Sequence, residues 1–311
     1  MKPKLSRLEQ AIKKLEANLI DANDQANTKL LTQRLDSYLG LKVDYASELN
    51  PDQLMAATTI EGKVLVIAGA GSGKTKTLTY RTSYLLENGV SPKEILLLTF
   101  TRKAANEIKD RAKSLLASSP SNQELSDDAL AEDKLPTDKA LNSITSGTFH
   151  SFCNMLLRQY SGLLGINPRF TILDTGDSED AIDLVHKEKK YPAQTKTQAF
   201  PRKKTLQNII STSRNRRIHI RDLIETNYPD IAVHIPIIEQ LAIDFHEYKR
   251  ANHLYDFDDI ISQVVRHLKT NDTFRQLLQS QYRYIMVDEY QDTNIPQKQL
   301  IDLICEPESV T

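Results

Sequence analysis

The sequence predicts an α/β protein whose parallel sheet is interrupted by a mostly helical insertion. Three observations lead there. Val64 to Thr75, VLVIAGAGSGKT, reads as a short apolar strand, a glycine-rich loop and a helix start. Val64 to Leu116 continues as strand–helix–strand–helix, the beginning of a parallel sheet. After a long stretch of helical periodicity over 176–282, strand character returns at Gln281 to Val287 and runs straight into Asp288 and Glu289. At 311 residues, 40% hydrophobic and 26% charged, the chain has room for two globular domains with real cores.

Taken in order, Leu5, Leu8, Ile12, Leu15 and Leu19 alternate spacings of three and four, an amphipathic helix. A second helix around Leu30 to Leu39 closes at Gly40. Packing on the chain's own body and docking of a protein partner through residues 5–39 are the two readings of this region. Asn50 and Pro51 form a helix start, an N-cap followed by a proline with φ already set. Lys74 to Glu87 read as a helix stopped at Asn88-Gly89. Ile95 to Phe100 read as a buried strand, and Thr101 caps a helix with Ala104, Ala105, Ile108, Ala112 and Leu115 on one face. Residues 118–140 hold six acids against two lysines and few apolar side chains, the composition of a surface insertion. From Ser143 strand character returns up to Gly147-Thr148-Phe149-His150, followed by a helix from Ser151 to Tyr160.

Composition excludes several classes. No run approaches the length of apolar residues that spans a bilayer, and the N-terminus MKPKLSRLEQAIKK lacks the apolar segment of a signal peptide, so a cytoplasmic location is expected. Cys153 and Cys305 are the only cysteines, too few and too far apart for a disulfide framework or a zinc site. The net charge of −1 makes any polyanion footprint local. Residues 187–221 are the place for one, with eleven Lys/Arg against the single acid Glu188. Lys203, Lys204, Arg214, Arg216 and Arg217 either grip duplex phosphates or form a solvated basic face.

The loop carries the chemistry. Glycines close together let successive N–H groups around Ala70, Gly71, Ser72 and Gly73 converge on one anion. The helix opening at Lys74, Thr75 and Lys76 adds free N–H groups and the positive end of its dipole. Lys74 is placed to reach the β- and γ-phosphates of a nucleotide, and the Thr75 hydroxyl to ligate Mg²⁺. One departure stands out: Ala68 occupies the first glycine position of the G-x-x-x-x-G-K-[ST] pattern. Gln53, ahead of the strand, offers one acceptor and two donors suited to an adenine edge. An apolar strand ending in Asp-Glu downstream of such a loop is the Walker B arrangement. Asp288 would hold the metal, and Glu289 would orient and deprotonate the attacking water.

LNPDQ (49–53), AGAGSGKT (68–75), LLLTFTRKAANEIKDR (96–111), GTFHSF (147–152), YDFDDI (255–260) and VDEYQDTN (287–294) stand in the order and spacing of UvrD/Rep/PcrA-type superfamily 1 DNA helicases, which the chain resembles over 46–311. The resemblance implies a RecA-like P-loop NTPase domain (1A) over 46–149 and 283–311, its sheet incomplete. It also implies a helical domain (1B) over 150–282 and an N-terminal extension over 1–45. It implies ATP and Mg²⁺ as cofactors, single-stranded and duplex-junction DNA as partners, 3′ to 5′ translocation, and service in DNA repair. Residue by residue, Gln53 matches the adenine reader, and Gly71, Gly73, Lys74 and Thr75 the phosphate loop. Asp288 and Glu289 match the Mg²⁺ carboxylate and the catalytic base, and Gln291 a residue coupling the ATP site to its surroundings. Phe100, Thr101, Arg102 and Lys103 match a DNA-contacting segment, with Arg102 where Asn is common. Phe149 and His150 match a second such segment. Phe100 read alone is a core residue, and the motif context sets the stacking reading level with that one.

Relatives continue past the point where this chain stops, into a second RecA-like domain that supplies arginines to the γ-phosphate. A chain of residues 1–311 is therefore expected to bind Mg·ATP weakly, turn it over slowly and not unwind DNA. Two other readings stay open: a non-catalytic DNA- or partner-binding module, and part of a RecB/AddA-type helicase–nuclease.

Overall fold

The computed structural model describes residues 41–69, 71–117, 141–192 and 199–305. The expected helices over 5–19 and 30–39 and the acidic stretch 118–140 lie outside those residues. The described residues fall into two compact units, one drawn from Met1–Gly147 and Tyr282–Asp288, the other from Thr148–Gln281 and Glu289–Pro307. Where the sequence assigns 283–311 to the sheet domain, Glu289–Pro307 groups with the helical unit.

The first unit opens with α1 (Tyr45–Glu48) and α2 (Pro51–Thr58), the latter started by Asn50 in a full capping box with Gln53. Next come α3 (Lys74–Glu87), a 3₁₀ turn at Pro92–Glu94, β1 (Ile95–Thr99), α4 (Arg102–Ala117) and β2 (Thr145–Thr148). Gly89 stops α3 in the left-handed region (φ +81°), as the Asn-Gly pair predicts. With β5 (Tyr284–Val287) these strands form a sheet in the order β2–β1–β5. The strands β1 and β5 are parallel, Ile95 opposite Tyr284 and Leu98 opposite Val287. Every residue of β1 is buried, which is why its sequence is an unbroken apolar run rather than an alternating one. Its core joins Leu54, Leu85, Ile95, Leu97, Ile108 and Met286. Tyr45 packs edge-on against Tyr80 and Tyr84 there, and its hydroxyl donates to Glu87. Burial and the Glu87 carboxylate push that phenol well above its ordinary value.

One expected strand does not form. Val64 to Ile67 carry no strand assignment, and their exposures are 43%, 70%, 44% and 89%. Strand preference is a preference for fitting a half-buried pleated surface. Among the described residues no ladder is offered to this run, so its β-branched side chains have nothing to pack against.

The second unit is helical, as the periodicity predicts. It holds α5 (Phe149–Gln159), α6 (Ser161–Leu164), α7 (Thr175–Glu188), α8 (Lys203–Arg216) and α9 (Ile220–Asn227). There follow α10 (Ile235–Ala251), α11 (Phe257–Thr270), α12 (Asp272–Gln281) and α13 (Ile295–Ile304). A core of Ile182, Ile209, Ile224, Ile238, Leu241 and Phe245 joins α7 to α10. A feature the sequence does not announce is a parallel pair of three-residue strands, β3 (Thr171–Leu173) and β4 (Leu254–Asp256). No helix of the described residues is long and apolar enough to cross a membrane.

Candidate functional site

The glycine-rich loop has the backbone its sequence requires. Gly71 and Gly73 adopt φ of +76° and +88°, a region that any side chain makes costly. A Cβ on Gly73 would also lie 2.7 Å from Gln53 Nε2, so that the glutamine side chain would have to move aside. Ser72 folds the loop on itself, its amide and hydroxyl both donating to the Gly69 carbonyl at 3.3 and 2.7 Å. Lys74 opens α3 and bends back over the loop, donating to the carbonyls of Ala68 (3.2 Å) and Gly69 (3.3 Å). Thr75 sits half-buried in the first turn, its carbonyl accepting from the Thr79 hydroxyl at 2.9 Å. Ala70 lies outside the described residues.

Two residues assigned to the nucleotide have protein partners here. The Gln53 carboxamide accepts from the Asn50 amide (3.2 Å) and donates to the Ser72 carbonyl (2.9 Å), so it braces the loop against the start of α2. Lys76 donates to the Glu48 carbonyl at 2.6 Å and stands over the Tyr80 ring, 5.3 Å from its centroid. The structure thus places Lys76 on α1 rather than on the loop.

At the far end of β5, Asp288 is 8% exposed, and its amide extends the ladder by donating to the Leu98 carbonyl at 2.9 Å. A hydroxyl at Thr75 and a carboxylate at Asp288 are hard oxygen donors of the kind Mg²⁺ prefers. Among the described residues no group of three or more His, Cys, Asp or Glu can hold a metal, so such an ion would depend on phosphate and water oxygens for its remaining ligands. Glu289 takes a left-handed backbone (φ 51°, ψ 44°), and its carboxylate accepts from the Gln291 carboxamide. Gln291 thereby fixes the orientation of the expected base.

The proposed nucleic-acid contacts separate on burial. Phe100 is 40% exposed, and Arg102 and Lys103 are exposed at the start of α4. Thr101 caps that helix, its hydroxyl accepting from the Ala104 amide at 3.2 Å. Phe149 is a correction: at 1% exposure its ring belongs to the core and offers no face to a base. His150 is half-buried and meets the Phe257 ring edge-on at 5.7 Å, and burial lowers its pKa, so the imidazole is neutral at pH 7. Phe257, 48% exposed, is the residue sequence reasoning missed. Its signal lay in YDFDDI, where an aromatic follows the N-cap Asp256 and so falls on the first, open turn of α11.

The basic block is neutralised in part. Lys203 pairs with Asp180, and Arg214 pairs with Asp256 and Asp259. Lys249, 2% exposed, joins the same two carboxylates. Burial pushes the Asp259 carboxyl up, but Arg214 and Lys249 outweigh it and hold it at about 2. Burial and the neighbouring Asp259 move Asp256 the other way. Asp256 and Asp259 also close a capping box at the head of α11, so one buried cluster ties α8, α10, β4 and α11 together.

Comparison with known proteins identifies the family. The family model described as UvrD/REP helicase N-terminal domain matches residues 49–311. The chain is 33% identical to the ATP-dependent DNA helicase PcrA of Bacillus subtilis over 261 residues, 84% of this chain and 31% of that protein. It is 31% identical to the PcrA of Staphylococcus aureus strain Mu50 over 259 residues, 83% of this chain and 32% of the relative. The chain thus spans about a third of the length of the curated relatives it matches. A phosphate loop opening a helix, an Asp-Glu pair ending a parallel strand, and a family model covering both place this α/β chain in the UvrD/REP helicase N-terminal domain family.

Proposed function

We propose that this chain is the N-terminal motor half of an ATP-dependent DNA helicase, binding Mg·ATP and single-stranded DNA. The observation that carries the reading is the loop Gly69–Thr75. Two of its glycines hold left-handed backbone at the head of α3, in the unit whose last strand ends at Asp288. In this reading the first unit is the ATPase domain 1A and the second the inserted domain 1B, preceded by an N-terminal extension.

Gly71 to Thr75 cradle the phosphates, Lys74 neutralises the β- and γ-oxygens, and Thr75 with Asp288 holds the ion. Magnesium bound there supplies charge neutralisation on the transferring phosphoryl group. Glu289, oriented by Gln291, takes the proton of the attacking water. Gln53 reads adenine by exchanging its bond to Ser72 for bonds to the base. Phe100 stacks on a base while Thr101, Arg102 and Lys103 line the phosphates, a sequence-tolerant grip that suits 3′ to 5′ stepping, and Phe257 offers an aromatic face on its own unit. His150 acts by steadying Phe257.

ATP hydrolysis with and without a dT oligonucleotide tests the reading. Residues 1–311 alone are expected to turn over slowly, because an arginine supplied from outside is worth about 10³–10⁵ in rate. The longer protein is expected to show strong stimulation by DNA. Robust DNA-stimulated turnover by residues 1–311, or none by the longer protein, contradicts it. Phe100→Ala and Phe257→Ala are each expected to weaken dT binding by about 5–150-fold, since stacking is worth about 1–3 kcal/mol per base. Fluorescence anisotropy reads this directly, and Phe149→Ala serves as the contrast, lowering stability instead.

A further inference from the structure

The second unit holds an open groove of about 630 Å³ between the end of α8, the turn into α9, and α10. Its walls are mixed. Ile218 and Ile243 show 37% and 54% of their surface, and the Arg217 and Arg250 side chains stand beside them. We propose that this groove docks an acidic amphipathic segment of a partner protein, with apolar side chains on Ile218 and Ile243 and carboxylates on Arg217 and Arg250.

Charge and shape select this occupant over a nucleic acid. The deeper cations, Arg214 and Lys249, are already answered by Asp256 and Asp259. Only the outer arginines remain to meet an anion, too few for a phosphate backbone whose affinity grows with each phosphate neutralised. The acids of the groove are Glu239, paired with Arg221 at 3.4 Å, and Glu247, so the rim keeps a positive excess. Two exposed isoleucines gain nothing against phosphates. Against the apolar face of a helix they are buried, which is how helix-in-groove recognition gains affinity. Arg217 is also set in place, held in left-handed backbone (φ 54°) with its guanidinium donating to Gln299 on α13.

The test uses a labelled synthetic helical peptide with leucine on one face and glutamate on the other, titrated into the protein by fluorescence anisotropy. Ile243→Glu and Arg250→Glu change exposed side chains, and unaltered circular dichroism confirms that they fold. Each is expected to weaken the peptide by about tenfold or more, as loss of a central contact does. A lysine-for-glutamate version of the peptide is expected not to bind. The proposal is overturned if the acidic peptide fails to bind, binds the variants equally, or is displaced by a dT oligonucleotide or a DNA duplex. Any of these outcomes leaves the motor reading standing, because neither variant touches the phosphate loop.

Discussion

Lys249→Ala is expected to lower the unfolding free energy of the second unit by about 3 kcal/mol, the low end of the cost of breaking a buried pair, because Arg214 alone then faces both Asp256 and Asp259. Lys249 and Asp259 are each 2% exposed, so solvent cannot replace the lost partner. Urea denaturation followed by circular dichroism reads the change as a fall in midpoint. An unchanged midpoint would remove the cluster from the account of this unit. Replacing the whole cluster by apolar residues of similar volume is expected to cost far less, since the pairing offsets a large desolvation penalty. The pH dependence has a definite sign. Asp259 is held at about 2, below its unfolded value. Its contribution is therefore fully present above the unfolded value near 4 and drains away as pH falls through about 2.

The second large effect is expected at Lys74. Lys74→Ala removes a charge-assisted contact to phosphate worth about 1.5–3 kcal/mol, so affinity for Mg·ATP should fall by about 10–100-fold. Isothermal titration calorimetry measures it, and stability should hardly move. The ammonium is half-buried, and its partners among the described residues are the carbonyls of Ala68 and Gly69. Retained affinity in Lys74→Ala would mean that the loop is not where phosphates bind. The two variants are complementary, one unfolding a domain with its chemistry untouched and the other silencing a site in a folded domain.

What the sequence made legible was local. A glycine loop, a Lys-Thr pair and the acids at a strand end are consecutive residues, and their backbone needs follow from neighbours alone. The helix start at Asn50 was equally readable, because a capping box is closed within four residues. Val64 to Ile67 misled because a strand exists only with a partner, and pairing is not a local property. Phe149 misled because the helix face that points inward is decided by α11, more than a hundred residues on. Lys249 and Arg214 were invisible as a cluster for the same reason, arriving at Asp256 and Asp259 from separate helices. The one clue was the Asp-x-x-Asp spacing within YDFDDI.

The left-handed backbone at Glu289 has a consequence for anyone engineering this chain. Glutamate has no preference for that conformation, whereas glycine occupies it freely, a difference of about 1 kcal/mol. A screen that rewards thermal robustness alone would therefore drift toward glycine here and delete the carboxylate proposed as the base. Durability and turnover pull in opposite directions at this one peptide unit, and selection for the first needs a functional readout to protect the second.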